Sequence, residues 1–191
     1  MVSVKTFIPP INRKKIIVLI FFLNILSLSS YAQLRKYIDD GKKYLLHKNY
    51  LAAIDQFNQF ITLFPDDGEG YYWIGYTCVL SKKYNDAEIY LNKAMLLYPK
   101  FVPIYVAYGQ MYFDQDLYET AIPYFIRATE LDNKNPSVYN SLGMSYYYLE
   151  QFEQAIKAFN LAIKVDSSFA AAYCNRGLPG IITRISPLPI R

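Results

Sequence analysis

Few side chains in this 191-residue chain are of a kind that performs chemistry, and their spacing gives them little to do together. The single histidine, His47, falls near the end of a helical run, where a lone imidazole is expected to be solvated rather than catalytic. The two cysteines, Cys78 and Cys174, are far apart in the chain and belong to no zinc-like spacing. No phosphate-cradling glycine loop and no nucleophile elbow occurs. The carboxylates Asp66, Asp67 and Glu69 cluster within one polar turn, where charge is expected simply to be solvated. These residues predict a protein that is not an enzyme and takes no cofactor and no metal.

What organises the chain instead is a period. The stretch from Pro136 to Phe169 reads as two helical runs joined by a short polar turn, and its skeleton returns every 34 residues without an insertion. Tyr139 is preceded by Tyr105, Tyr71 and Tyr37, and Gly143 by Gly109, Gly75 and Gly41. Ala155 follows Ala121, Ala87 and Ala53, while Phe152 aligns with Tyr118, Tyr84 and Tyr50, and Phe159 with Phe125, Leu91 and Phe57. A glycine inside a helix is about 1 kcal/mol less favourable than alanine, so four at one register need a compensating cause. The expected cause is backbone-to-backbone approach of two helices where Gly143 meets Ala155, with Tyr139, Leu142, Tyr146, Phe152 and Phe159 filling the space around it. A second small register, Ala94, Ala128 and Ala162, would let each second helix meet the next repeat. Phe60 breaks that register and predicts looser or shifted packing in the first repeat. Cys78 shares the register of Tyr44, Tyr112 and Tyr146, which marks it as a buried packing residue nearly three repeats from Cys174.

A 34-residue period with this pattern resembles the tetratricopeptide repeat (TPR). The resemblance covers Leu34 to Phe169. It implies an all-α fold, a right-handed α-solenoid of helix-turn-helix repeats at 34–67, 68–101, 102–135 and 136–169. A single repeat cannot bury both faces of its hairpin, so stability must come from stacked neighbours. The first helix is charged (Arg35, Lys36, Asp39, Asp40, Lys42, Lys43), as suits a terminal repeat with one face in water. Pro65 and Pro99 close two repeats, Pro103 and Pro136 lie at helix starts, and Pro123 is expected to kink a second helix. A fifth repeat starts at 170–177, with Tyr173 and Gly177 on register. Leu178-Pro179-Gly180 is then expected to break the helix and leave an irregular tail over 178–191. The favoured account of that tail is truncation or a frame shift relative to a longer parent, the other a natural frayed end.

The formal charge of +4 comes from the N-terminus. Lys5, Arg13, Lys14 and Lys15 lie in the first 32 residues with no acid among them, and the remaining sixteen basic residues balance 16 acidic ones. No electrostatic footprint for nucleic acid is present. Residues 1–32 read as a signal peptide: a positive flank at 13–15, an apolar run from Ile16 to Leu28, and Ser30-Tyr31-Ala32 before a cleavage expected at Gln33. The alternative is an uncleaved anchor, the one way the chain would meet a membrane. In either case the repeats are expected outside the cytoplasm, in the periplasm or cell envelope.

The resemblance also implies a site. First helices of TPR proteins line a concave groove that commonly holds a peptide or a partner's helix. Its registers fall on Arg35, Ile38, Lys42 and Leu45, then Glu69, Tyr72, Tyr76 and Val79, then Val106, Gln110, Phe113 and Asp114, and then Asn140, Met144, Tyr147 and Tyr148. The partner-binding set expected from these is Arg35, Lys42, Tyr72, Tyr76, Gln110, Phe113, Asn140, Met144 and Tyr147. A clamp for a chaperone's C-terminal carboxylate would need a fuller basic set than Lys42 and Asn140 offer. The expectation is therefore an exported, non-catalytic interaction module of the cell envelope that binds a protein or peptide. The alternative is the extracytoplasmic sensor portion of a longer signalling protein, such as a histidine kinase.

Overall fold

Several helices begin on a side chain that completes the backbone. Asn49 accepts from the Ala52 amide at 3.3 Å, Asp67 from Glu69 at 2.8 Å and Asn135 from Ser137 at 3.0 Å, each satisfying a donor that the first helical turn leaves orphaned. Pro103 and Pro136 occupy first-turn positions, where no amide hydrogen is needed. The computed structural model describes residues 35–185, with side chains to residue 177. The segment read as a signal peptide lies outside the described residues.

Among these residues the chain forms nine helices and no strand: α1 (35–46), α2 (Tyr50–Leu63), α3 (Gly68–Leu80), α4 (Tyr84–Leu97), α5 (Val102–Phe113), α6 (Tyr118–Leu131), α7 (Pro136–Tyr148), α8 (Phe152–Val165) and α9 (Ala170–Ile185). Odd-numbered helices are the first of each pair and even-numbered the second. The pairs stack as an all-α solenoid of helix-turn-helix repeats, in which α3 packs on α5, α5 on α7 and α7 on α9. No helix among the described residues is long and apolar enough to cross a membrane.

Each of the four turns inside a pair is built the same way. Lys48, Lys82, Asp116 and Glu150, one per repeat, take the left-handed conformation with φ of 56–60°. At each, two amides reach back to carbonyls of the ending helix, as in Lys82 N to Val79 O (3.0 Å) and Lys83 N to Cys78 O (2.8 Å). This is the Schellman termination, normally made by glycine. Here none of the four is glycine.

The glycine register works differently from the backbone contact expected from the sequence. An added Cβ on Gly143 would meet ring atoms of Phe159, and on Gly109 ring atoms of Phe125. Gly75 faces Leu91, and Gly41 faces Phe57. The glycine is thus a recess for the large residue four positions after the repeated alanine, rather than a partner for Ala155. The alanines at 53, 87, 121 and 155 are buried beside it, as are these large residues.

The joint between repeats corrects the reading of Phe60. Phe60 is buried, and the space its ring needs comes from Gly70, whose Cβ position lies 2.6 Å from that ring. Gly70 shares its register with Ile104 and Val138, while Phe60 shares its own with Ala94 and Ala128. Large and small have changed sides across the first joint, so volume is conserved and the packing is not loose.

A second correction concerns the C-terminal end. Helix α9 continues through Leu178-Pro179-Gly180 to Ile185, where a break and an irregular tail were expected. Proline removes one amide donor and crowds the carbonyl four residues back, which bends a helix as well as ending one. Pro123 lies inside α6 in the same manner.

Candidate binding groove

Tyr72 and Tyr76 stand one turn apart on α3, stacked with ring centroids 5.9 Å apart. Facing them, α5 contributes Val102, Pro103, Val106, Ala107 and Gln110, and the turn between α6 and α7 contributes Asp132 and Asn135. Together they line a groove of about 380 Å³, a volume suited to a few side chains of an inserted segment. Tyr72 is only 8% exposed. Trp73 and Phe101 meet it edge-on at 5.0 and 5.2 Å. The side chain lines the groove, and its hydroxyl, which no described residue bonds, stays accessible to solvent. Burial, reinforced by Tyr76 and Glu69, pushes the phenol's pKa well up, so it stays a neutral hydrogen-bond donor. Gln110 gives its amide NH to Asp114 at 2.6 Å, which leaves its carbonyl oxygen as the acceptor available on that wall.

Of the residues expected from the sequence, the structure brings only Tyr72, Tyr76 and Gln110 together in the groove lining, with Val106 beside them. Arg35 and Lys42 project from α1 onto the start of α3, where both reach Glu69, at 3.0 and 3.7 Å. Lys42 also lies 4.5 Å over the Trp73 ring, whose indole NH donates to Glu69 at 3.2 Å. This cluster borders the groove rather than lining it. Phe113 and Tyr147 are elsewhere, at the far ends of α5 and α7. Phe113 meets Tyr118 and Tyr148 edge-on, Tyr118 stacks on Tyr148 at 4.7 Å, and Tyr147 packs on Tyr148 and Phe152. Their rings join adjacent repeats. Asn140 accepts from Asn175 of α9 at 2.8 Å and ties the last two first helices together. Met144 is half-buried and outside the groove lining.

The residues first considered for chemistry have structural parts. Cys78 is buried, and burial pushes its thiol up to about 11. His47 is exposed, with Nδ1 2.9 Å from the Lys43 carbonyl. The carboxylates expected to be merely solvated are not all so: Asp67 caps α3 and accepts from the Tyr98 hydroxyl at 3.0 Å, and Glu69 is the anion shared by Arg35 and Lys42. No group of three or more histidine, cysteine or acidic side chains suited to a metal occurs among the described residues.

Sequence reasoning missed Val102, Pro103, Ala107, Asp132 and Asn135 in the groove wall. Pro103 shares its register with Arg35 and Glu69, so the repeat alignment contained that signal. Asp132 and Asn135 lie in a turn between repeats, which a helix-face argument does not sample.

Family models for the tetratricopeptide repeat match residues 68–101 and 136–169, and one described as TPR repeat matches 109–148. The chain is a tetratricopeptide repeat protein. No curated protein matches its sequence. Several solved TPR-like structures share its fold. MamA residues 41 to the end, from Desulfovibrio magneticus RS-1, superposes with a TM-score of 0.70 at 18% identity, over 79% of this chain and 85% of that one. PilF of Pseudomonas aeruginosa gives 0.73 at 17%, over 79% and 69% of the two chains. YrrB, described as a TPR protein with an unusual peptide-binding site, gives 0.64 at 20%, over 80% and 88%.

Proposed function

We propose that this TPR protein is an exported, non-catalytic interaction module that binds a peptide or a protein segment in the groove between α3, α5 and the α6–α7 turn. The observation that carries the reading is Tyr72: a nearly buried side chain that lines a largely apolar groove and whose hydroxyl has no partner among the described residues. Stacked Tyr76 adds a large, fairly rigid contact surface of the kind that dominates binding energy. The peptide-binding site named for YrrB supports the reading by likeness of fold. Export rests on the positive flank, the apolar run and Ser30-Tyr31-Ala32 at the N-terminus.

The experiment is a pair of alanine variants read by two measurements. Tyr76→Ala is expected to weaken peptide binding by about 1–2 kcal/mol with little loss of stability. Tyr72→Ala, which empties a site packed by three rings, is expected to lower folding stability by about 3–5 kcal/mol. Unchanged peptide affinity in Tyr76→Ala would sink the groove reading. For export, the intact mass of protein secreted from a bacterial host should correspond to a chain beginning at Gln33, and full-length chain in the membrane fraction would establish the anchor instead.

A further inference from the structure

The groove is bordered by opposite charges. At the α1–α3 side, Arg35 and Lys42, both partly exposed, share the single carboxylate of Glu69. Across the groove, Asp132 lines the wall, and no described cation lies within 4 Å of it. One of its oxygens accepts the Lys134 backbone amide at 3.0 Å, which fixes the carboxylate without neutralising it. Between the two charged borders lie Tyr72, Tyr76, Val102, Pro103 and Val106, an apolar floor with two phenol hydroxyls.

We infer that the groove selects an extended peptide with an apolar centre, an acidic residue at the end over Arg35 and Lys42, and a basic residue at the end over Asp132. The inference rests on the groove reading above and adds the partner's chemistry. The geometry sets a length. Arg35 and Lys42 reach Glu69 at the start of α3, so the borders are two first-helix spacings apart, from α3 to α7, at roughly 8–10 Å each. An extended chain advances about 3.3 Å per residue, so about five or six residues reach from one border to the other. The apolar centre supplies the area, and the charged ends choose among apolar segments, because exposed charge pairs discriminate more than they hold. Chain direction is left free: the acid stands at either terminus of the peptide, provided the base stands at the other.

The test uses the purified chain and four fluorescent hexapeptides sharing a Leu-Val-Leu centre, with acidic and basic ends, two acidic ends, two basic ends, or uncharged ends. The acidic–basic peptide is expected to bind best, by about two- to fivefold over each of the others, the range that one exposed ion pair supplies. That advantage should shrink as salt is raised. Asp132→Asn keeps the turn's acceptor oxygen and removes only charge, so it should erase the preference for a basic end. Equal affinity for all four peptides, or an Asp132→Asn variant with the preference intact, overturns the inference. If at the same time Tyr76→Ala still weakens every peptide, the groove reading survives and only the charge selection fails. If Tyr76→Ala weakens none, both fail. A concentration-dependent dimer that peptide cannot dissociate would make a second copy the occupant and overturn the inference as well.

Discussion

The ring of Phe125 lies 2.5 Å from the point where Gly109 would carry a Cβ. No real side-chain contact is that short, so even one methyl group at Gly109 must displace a buried ring. Gly109→Ala is expected to lose about 1–3 kcal/mol to overpacking, although alanine is the better helix former. Gly177 has the same register with nothing within 4 Å. There Gly177→Ala should be neutral or stabilising by up to about 1 kcal/mol. Urea unfolding of the two variants gives the comparison, and equal effects would mean that the ring recess does not explain the glycine register.

The reversed joint at Phe60 and Gly70 predicts a rescue. Phe60→Ala alone should destabilise by about 3–5 kcal/mol through the cavity it opens, and Gly70→Ile alone by about 1–3 kcal/mol through overpacking. The double variant places at this joint the pair that Ala94 and Ile104 form at the next, with Ile61, 2.5 Å from the Gly70 Cβ position, left to shift. A double-mutant cycle should show a favourable coupling of at least about 1 kcal/mol, and additive losses would refute the volume exchange.

Four left-handed residues without glycine are a reserve of strain. A non-glycine residue in this region is disfavoured by about 1–2 kcal/mol, part of which glycine returns in the entropy of the unfolded chain. Lys82→Gly should therefore raise stability by about 0.5–1 kcal/mol, and Lys82→Ala should not. Thermal melts of the two variants distinguish a conformational gain from loss of the lysine charge.

Cys78 and Cys174 should differ in reactivity. Cys174 is exposed and Cys78 buried, so native protein treated with iodoacetamide is expected to gain one label, on Cys174, and denatured protein two. Burial pushes the Cys78 thiol up to about 11, which adds a pH signature. Its neutral thiol favours the fold fully below pH 9, and that contribution is lost between about pH 9 and 11 as the unfolded chain ionises first. Cys78→Ala should show a shallower fall in stability over that window than the parent, and two native labels would contradict the burial.

The repeats and the helix pairs were legible because a strict 34-residue register repeats glycine, alanine and aromatic positions in one order. What was not legible follows from geometry that a register cannot carry. The glycine and alanine columns are both small, and only the crossing of the helices shows that Phe159 rather than Ala155 occupies the recess at Gly143. Phe60 looked like a defect because its compensation, Gly70, belongs to the next repeat and to another column. The groove divided the expected set for a similar reason. Phe113 and Tyr147 share the face of Tyr76 but lie toward the far ends of their helices, among rings that close the joints. Asp132 and Asn135 entered the groove from a turn.

The contact pattern also has a mechanical meaning. Among α2–α9, every helix touches only those one or two places along the chain. Tension applied across α2–α9 would therefore be carried by a series of joints, with no sheet or long-range clasp in parallel among these helices. Such a molecule lengthens a little at each joint before any one gives way. Partners tethered at its two ends would be linked through an elastic strut rather than a rigid bar.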